Sequence, residues 1–378
     1  MPIILSIVTA FLVTAVIIRF KNLHEHITGD HDFHGAQKFH VTSVPRVGGI
    51  AVFLGVISVG IWSTLSLGYF SLQGIWLLIL CSLPAFLGGV VEDMTKRVGV
   101  SARLSLTMFS AILGFFFLGA EINRLDVSFL NGLVEVTIIS LVFTAIAVAG
   151  VANAINIIDG YNGLAGFLSV CIFFCLALVA WFLNDEFLII ASLAMSGSLL
   201  GFLFWNFPSG RIFLGDGGAY FTGFMIAEIS ILLFVRNPEV SVWCPLLLSI
   251  HPVFETLFTI YRRTVIHRTH PGHPDSSHLH QLIYKRVVRW KVGDFSANAI
   301  AERNSLTSPY IWVLNLFAFV PAVLFWDSTG ILVFFVMLYI AIYVYLYRAI
   351  AKFRTPRFLT CFFSKKYAMV KTESENLK

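Results

Sequence analysis

VEVTIISLVFTAIAVAGVANAINIIDGYNG, residues 134–163, is an apolar run that passes without a break into Asn153, Asn156 and Asp159. About 20 mainly apolar residues cross the hydrocarbon core of a bilayer, and 134–152 has that length. The three polar residues recur at every third position, so they share one face of a helix that continues beyond the apolar run. The stretch reads as a membrane-spanning helix with polar side chains gathered at one end.

Ten further segments have the same apolar character: 2–18, 47–67, 72–91, 104–120, 163–183, 187–204, 219–235, 242–261, 309–326 and 330–350. The expected fold is an all-α integral membrane protein of about 11 transmembrane helices. A single polytopic domain over 1–378 is expected, with long loops at 19–46 and 262–308 and a tail at 351–378. The chain is 57% hydrophobic and 12% charged, whereas soluble domains carry about 25% charged residues. That composition excludes a soluble globular domain, a disordered chain and a coiled coil. The first run has no basic residues before it and no small-residue cleavage site after it, so it is expected to be a retained helix. The five cysteines lack metal-ligand spacing and read as small buried hydrophobes.

Alternating the spans places 24 of the 26 Lys and Arg residues on one side, with only Arg124 and Arg236 on the other. The positive-inside rule makes the basic side cytoplasmic. The N-terminus is then outside and the C-terminus inside.

The polar clusters all fall on the cytoplasmic side. They comprise Asp32, Lys38 and His40; Pro45, Arg46, Gly48 and Gly49; Glu92, Asp93, Lys96 and Arg97; Asn153, Asn156, Asp159, Gly160, Asn162 and Gly163; Asn206, Arg211, Phe213, Gly215, Asp216, Gly217 and Gly218; and the loop with Pro274, Asp275, His278 and His280. Each has a bland reading. Glu92 and Asp93 before Lys96 and Arg97 also describe a solvated helix end, amides also join helices, and glycines around an Asp also make a turn. His24, His26, His31 and His34 read as solvated loop residues. Together, however, three acidic sites, amides, glycines and basic side chains converge on one membrane face. Carboxylates are the hard ligands Mg²⁺ takes alongside substrate phosphates, and basic side chains neutralise phosphate oxygens. A P-loop and a strand-borne GxGxxG are both lacking. The chemistry indicated is phosphate chemistry at the membrane surface.

These blocks, spread over about residues 32–285, resemble those of the polyprenyl-phosphate N-acetylhexosamine-1-phosphate transferases of the MraY/WecA type, glycosyltransferase family 4. The resemblance implies transfer of a sugar 1-phosphate from a UDP-sugar to undecaprenyl phosphate, with release of UMP. It implies Mg²⁺ as cofactor, with Mn²⁺ as a substitute. The implied partners are the UDP-sugar, undecaprenyl phosphate and membrane lipid, with no nucleic acid and a homodimer left open. The implied location is the bacterial inner membrane. Residue by residue, Asp93, Asp159 and Glu92 are the implied catalytic acids, Asp93 as general base. Glu92 stands where the family has Asp. Asp216 and Asp159 are the implied metal ligands. Lys38, His40, Lys96, Asn153, Asn156, Asn206, Arg211, Phe213, His278 and His280 are implied to bind substrate. Gln37, Asn162 and Gln281 depart from the family pattern. A single displacement and a route through an aspartyl intermediate on Asp159 both stay open.

The loop ending in His278, Leu279, His280 and Gln281 resembles the hexosamine branch of the family. UDP-GlcNAc or a close relative is the implied donor, for O-antigen, exopolysaccharide or a similar glycan. The alternatives are a muramyl-pentapeptide phosphotransferase of peptidoglycan synthesis and, from a different class, a polytopic transporter. Glu228 and His251 fall near the centres of consecutive spans, where ionisable groups are costly. They are expected to hydrogen-bond across that hairpin. Glu255, on the cytoplasmic side of His251, is expected to line the site.

Overall fold

The computed structural model describes residues 1–29, 44–67, 73–266, 268, 277–288, 297–354 and 356. Asp32, Lys38, His40, Asp275 and most of the tail lie outside the described residues. In chain order the helices are α1 Pro2–Arg19, α2 Lys21–Thr28, α3 Gly48–Leu67, α4 Gln73–Thr95, α5 Val100–Leu118, α6 Ser128–Val134, α7 Thr137–Ile158 and α8 Leu164–Phe182. They continue as α9 Glu186–Asn206, α10 Gly215–Arg236, α11 Trp243–Leu248, α12 Ile250–Tyr261, α13 Leu279–Ile283, α14 Ala297–Leu324 and α15 Thr329–Ala351. No strand occurs among the described residues. Ten of these helices are long and apolar enough to cross a membrane, so the all-α polytopic expectation holds.

The eleventh expected span, 242–261, differs: it is two helices, α11 and α12, joined at Ser249. Pro252 explains the break. It has no N–H to donate to the carbonyl four residues earlier, so the helix stops and restarts with proline in its first turn. The broken pair still runs from one end of the bundle to the other. Val242 N–H donates to Asp126 at one end, and Glu255 meets His278 toward the other. The two arginines set apart from the other basic residues are both paired, Arg124 with Asp126 at 2.9 Å and Arg236 with Asp185 at 2.7 Å.

Helix α10 is the axis of the bundle, buried along nearly its whole length. Its neighbours approach through small residues, as helices packed in lipid do. A Cβ on Gly49 would lie 2.3 Å from the Gly218 Cα, and one on Gly89 would lie 2.5 Å from the Gly217 Cα. Backbones of α3 and α4 therefore touch the first turn of α10.

The expected bond between Glu228 and His251 does not form. His251 Nδ1 pairs with Tyr339 on α15 at 2.9 Å, while both Glu228 oxygens are buried without a hydrogen-bond partner. Glu228 faces α5, where a Cβ on Gly114 would lie 1.7 Å from its Oε1. The faces the two residues occupy point to different neighbours.

Candidate active site

The site is built around the start of α10. Pro45 to Gly49 lies alongside Phe213 and Leu214: Gly48 N–H donates to Phe213 O at 3.0 Å, Gly49 N–H to Leu214 O at 2.8 Å, and Phe213 N–H to Pro45 O at 2.9 Å. Gly215 follows with φ +76°, and a Cβ there would lie 1.8 Å from Arg46 O. A left-handed residue this close to a carbonyl must be glycine. The turn aims the first N–H groups of α10 at the end of α4.

Asp93 receives them. Its Oδ1 accepts from Asp216 N–H and its Oδ2 from Gly217 N–H, each at 2.9 Å. A carboxylate at a helix N-terminus satisfies donors the helix cannot. Asp216, in the first turn of α10, is held on three sides. Arg103 Nη1 lies 2.6 Å from its Oδ2, Asn156 Nδ2 donates to its Oδ1 at 2.6 Å, and Arg46 Nη2 approaches to 3.8 Å. Arg46 also lies 4.0 Å from Asp93.

Asp159 ends α7 near Gly215, whose backbone N–H favours its charged form. Burial pushes its carboxyl up to about 7, the charges of Asp216 and Asp93 add to this, and Arg46 opposes them. Asn153, two turns earlier on the helix, accepts from Tyr220 O–H at 3.2 Å. Tyr220 lies one turn beyond Asp216, with Arg103 over its ring at 5.4 Å.

A second group adjoins this one. His278 Nδ1 lies 3.0 Å from Glu255 Oε1. The rings of His278 and His280 stack at 5.3 Å with planes 5° apart, and His280 meets Tyr161 edge-on at 5.3 Å. Tyr161 lies two residues beyond Asp159, so it links the histidines to the acidic loop. Burial holds the His280 imidazole down at about 3, against the opposing pull of the Glu255 charge.

Other expected site residues have structural partners. Glu92 Oε2 accepts from Val98 N–H at 2.7 Å and so holds the turn between α4 and α5. Asn206 accepts from Gly163 N–H at 2.7 Å and donates to Ile212 O at 2.8 Å, tying two loops together. Arg211 is exposed, over the Trp205 ring at 5.7 Å. Phe213 contributes its backbone to the Pro45 segment. Lys96 is exposed on the turn after α4, within electrostatic reach of Glu92, Asp93 and Asp216.

Arg46 and Arg103 are the site residues that the spacing of acids and amides did not reveal. Arg103 counted only as a cytoplasmic charge. Its signal was its place in the first turn of a spanning helix, where the dipole disfavours a cation unless an acid faces it.

The donor set fits a divalent cation of a particular kind. Asp216 and Asp159 offer hard carboxylate oxygens, and no group of three or more His, Cys, Asp or Glu forms a metal cage among the described residues. Mg²⁺ is usually held by one or two carboxylates together with phosphate and water. The residues suit such an open site better than a structural metal.

The sequence profile described as "Glycosyl transferase family 4" matches residues 75–234, from α4 to near the end of α10. The chain is 28% identical over 333 residues to a "Probable undecaprenyl-phosphate N-acetylglucosaminyl 1-phosphate transferase" of Bacillus subtilis, covering 85% of this chain and 88% of that protein. It is 26% identical over 284 residues to an "Undecaprenyl-phosphate alpha-N-acetylglucosaminyl 1-phosphate transferase" of Thermotoga maritima, covering 75% and 81%. A "Phospho-N-acetylmuramoyl-pentapeptide-transferase" of Oceanobacillus iheyensis is 27% identical over 248 residues, covering 61% and 75%. The matched region carries Asp93, Asp159 and Asp216 on three helix ends that meet at one point. Residues 75–234 are thus similar to glycosyl transferase family 4, and the likeness to the relatives extends over most of the chain.

Proposed function

We propose that this chain transfers N-acetylhexosamine 1-phosphate from a UDP-sugar, UDP-GlcNAc or a close 2-acetamido relative, to undecaprenyl phosphate with release of UMP. The reaction takes place on the cytoplasmic face of the bacterial inner membrane and starts a lipid-linked surface polysaccharide. The observation that carries this reading is the meeting of Asp93, Asp159 and Asp216 at the first turn of α10. The relatives from Bacillus subtilis and Thermotoga maritima, matched over most of their lengths, support the same reaction.

The lipid phosphate oxygen attacks the phosphorus that bears the sugar, the bridging P–O bond breaks, and UMP departs. Such transfer depends mainly on positioning and on neutralising charge over the phosphoryl oxygens. Asp216 and Asp159 would hold Mg²⁺, which when bound supplies charge neutralisation to the donor diphosphate. Arg46 and Lys96 add positive charge at the same mouth. Each Asp93 oxygen accepts one backbone N–H and keeps a further lone pair, so Asp93 is the proton acceptor for the lipid phosphate, while Asp159 serves the metal. Asp93 also sets the position of Asp216.

The test is a panel of UDP-sugars with purified full-length chain, undecaprenyl phosphate and Mg²⁺, scored by UMP release. UDP-GlcNAc or a related hexosamine is expected to turn over. Turnover of the muramyl-pentapeptide donor alone would overturn the donor assignment, and no UMP from any donor would overturn the reaction.

A further inference from the structure

The last spanning helices hold an acid that the proposed chemistry does not use. Glu255, on α12, is fully buried. Its Oε1 lies 3.0 Å from His278 Nδ1, and its oxygens accept from Leu279 N–H at 3.1 and 3.3 Å. One carboxylate therefore grips both a histidine side chain and the backbone at the start of α13. His278 N–H, in turn, donates to Gln281 Oε1 at 3.1 Å, which closes the turn.

Glu255 itself is not free to drift. Toward the membrane centre, His251 on the same helix bonds Tyr339 of α15 at 2.9 Å. On the cytoplasmic side, Arg262 bonds Tyr347 of α15 and also donates to Ser277 O at 2.6 Å. Tyr339 and Tyr347 are two turns apart, so α15 pins α12 on both sides of the acid. Polar contacts of this kind between helices in lipid resist rearrangement, because each group would otherwise be left unsatisfied.

From the pinned acid, contacts run to the catalytic loop. His278 stacks on His280, and His280 meets Tyr161, two residues from Asp159. An ionised carboxylate only accepts, so the pair requires the proton on His278 Nδ1 and leaves the lone pair of the neutral ring on Nε2. A carboxylate behind a histidine fixes ring orientation and tautomer in the same way in catalytic and metal sites.

We propose that Glu255 is a positioning residue for the transfer reaction: from α12 it fixes the place, orientation and tautomer of His278. This rests on the phosphotransferase reading above. It makes α15 a scaffold for the site although none of its residues reaches the acidic cluster.

The test uses purified full-length chain in detergent, with UMP release from UDP-GlcNAc and amide hydrogen exchange as readouts. Glu255→Gln is expected to lower kcat about 10–100-fold while the donor KM moves less than about threefold. Glu255→Asp is expected to retain more kcat than Glu255→Gln, because it keeps the charge. In a His278→Asn background, Glu255→Gln is expected to add no further loss, since residues acting as a unit are non-additive. Leu279 amide exchange is expected to speed up in Glu255→Gln without substrate. Independent, multiplying losses in the double variant, or wild-type kcat in Glu255→Gln, would overturn the proposal. Should wild type release no UMP from any UDP-hexosamine, the functional reading fails; unchanged Leu279 exchange in Glu255→Gln would then sink the positioning contact on its own.

Discussion

Asp93 and Asp216 are joined through the backbone: the carboxylate of the first accepts the N–H of the second at 2.9 Å, and that of Gly217 at 2.9 Å. One acid of the site is thus the seat on which the helix carrying the other rests. Its charge is also well placed, since a helix N-terminus favours an anion. The two acids therefore differ in kind, one anchoring and one facing Arg103 and Arg46.

Asp93→Asn should fail in two ways. It removes one acceptor from the α10 N-terminus, a loss of about 1 kcal/mol for a cap, and shifts Asp216, for which about 100-fold in turnover is expected. Asp159→Asn should lose turnover to a similar extent without loss of stability, because burial already disfavours its charged form. Thermal unfolding alongside UMP release separates the two, and wild-type melting of Asp93→Asn would contradict the anchoring role.

Gly49→Ala and Gly89→Ala bear on the close approach of α3 and α4 to α10. The added Cβ would meet Gly218 or Gly217 backbone at 2.3–2.5 Å, and backbone yields less readily than a side chain tip. Each is expected to cost about 1–3 kcal/mol and to lower turnover by displacing Asp216. Unchanged melting for both would mean the first turn of α10 is loosely seated.

Glu92 holds a turn through Val98 N–H. Glu92→Gln keeps an oxygen at the same reach and should retain activity within about threefold. Glu92→Asp is shorter by one methylene and should cost about 1 kcal/mol of stability while still turning over. A dead Glu92→Gln enzyme, correctly folded, would return Glu92 to the chemistry.

Removal of divalent cations by a chelator should abolish UMP release, and Mg²⁺ should restore it. Asp216→Asn should raise the Mg²⁺ concentration needed for half-maximal rate. Full activity in excess chelator would exclude the open carboxylate site.

His280 supplies a pH dependence of known sign. Burial holds its folded-state pKa at about 3, below the unfolded value of about 6.5. Between those values the unfolded chain binds the proton and the folded chain does not. Its contribution to stability is complete above about pH 6.5 and is lost as pH falls toward 3, with a slope of up to about 1.4 kcal/mol per pH unit. His280→Asn should show a shallower acid decline in thermal unfolding than wild type. Identical slopes would mean His280 is protonated in the fold.

Hydropathy along the chain determined the helical class and ten of the spans, and charge set the sidedness to be expected. The reason is local: every span must satisfy its backbone within itself and present apolar side chains to lipid, whatever its neighbours are. The acids Asp93, Asp159 and Asp216 were legible for the same reason, since ionisable groups at helix ends of an apolar chain stand out by composition. Tertiary structure alone decided their roles. Which face of a helix meets which neighbour depends on rotation about its axis and on backbone approach, and neither is written in residue order. That is why Glu228 and His251 face different surroundings, and why Pro252 splits a span of sufficient apolar length. It is also why Asp93 became a cap, Arg103 the partner of Asp216 across 113 positions, and Glu255 the partner of His278. Such pairings form only when helices distant in sequence have packed, because contact between side chains is set by the bundle and not by any one segment.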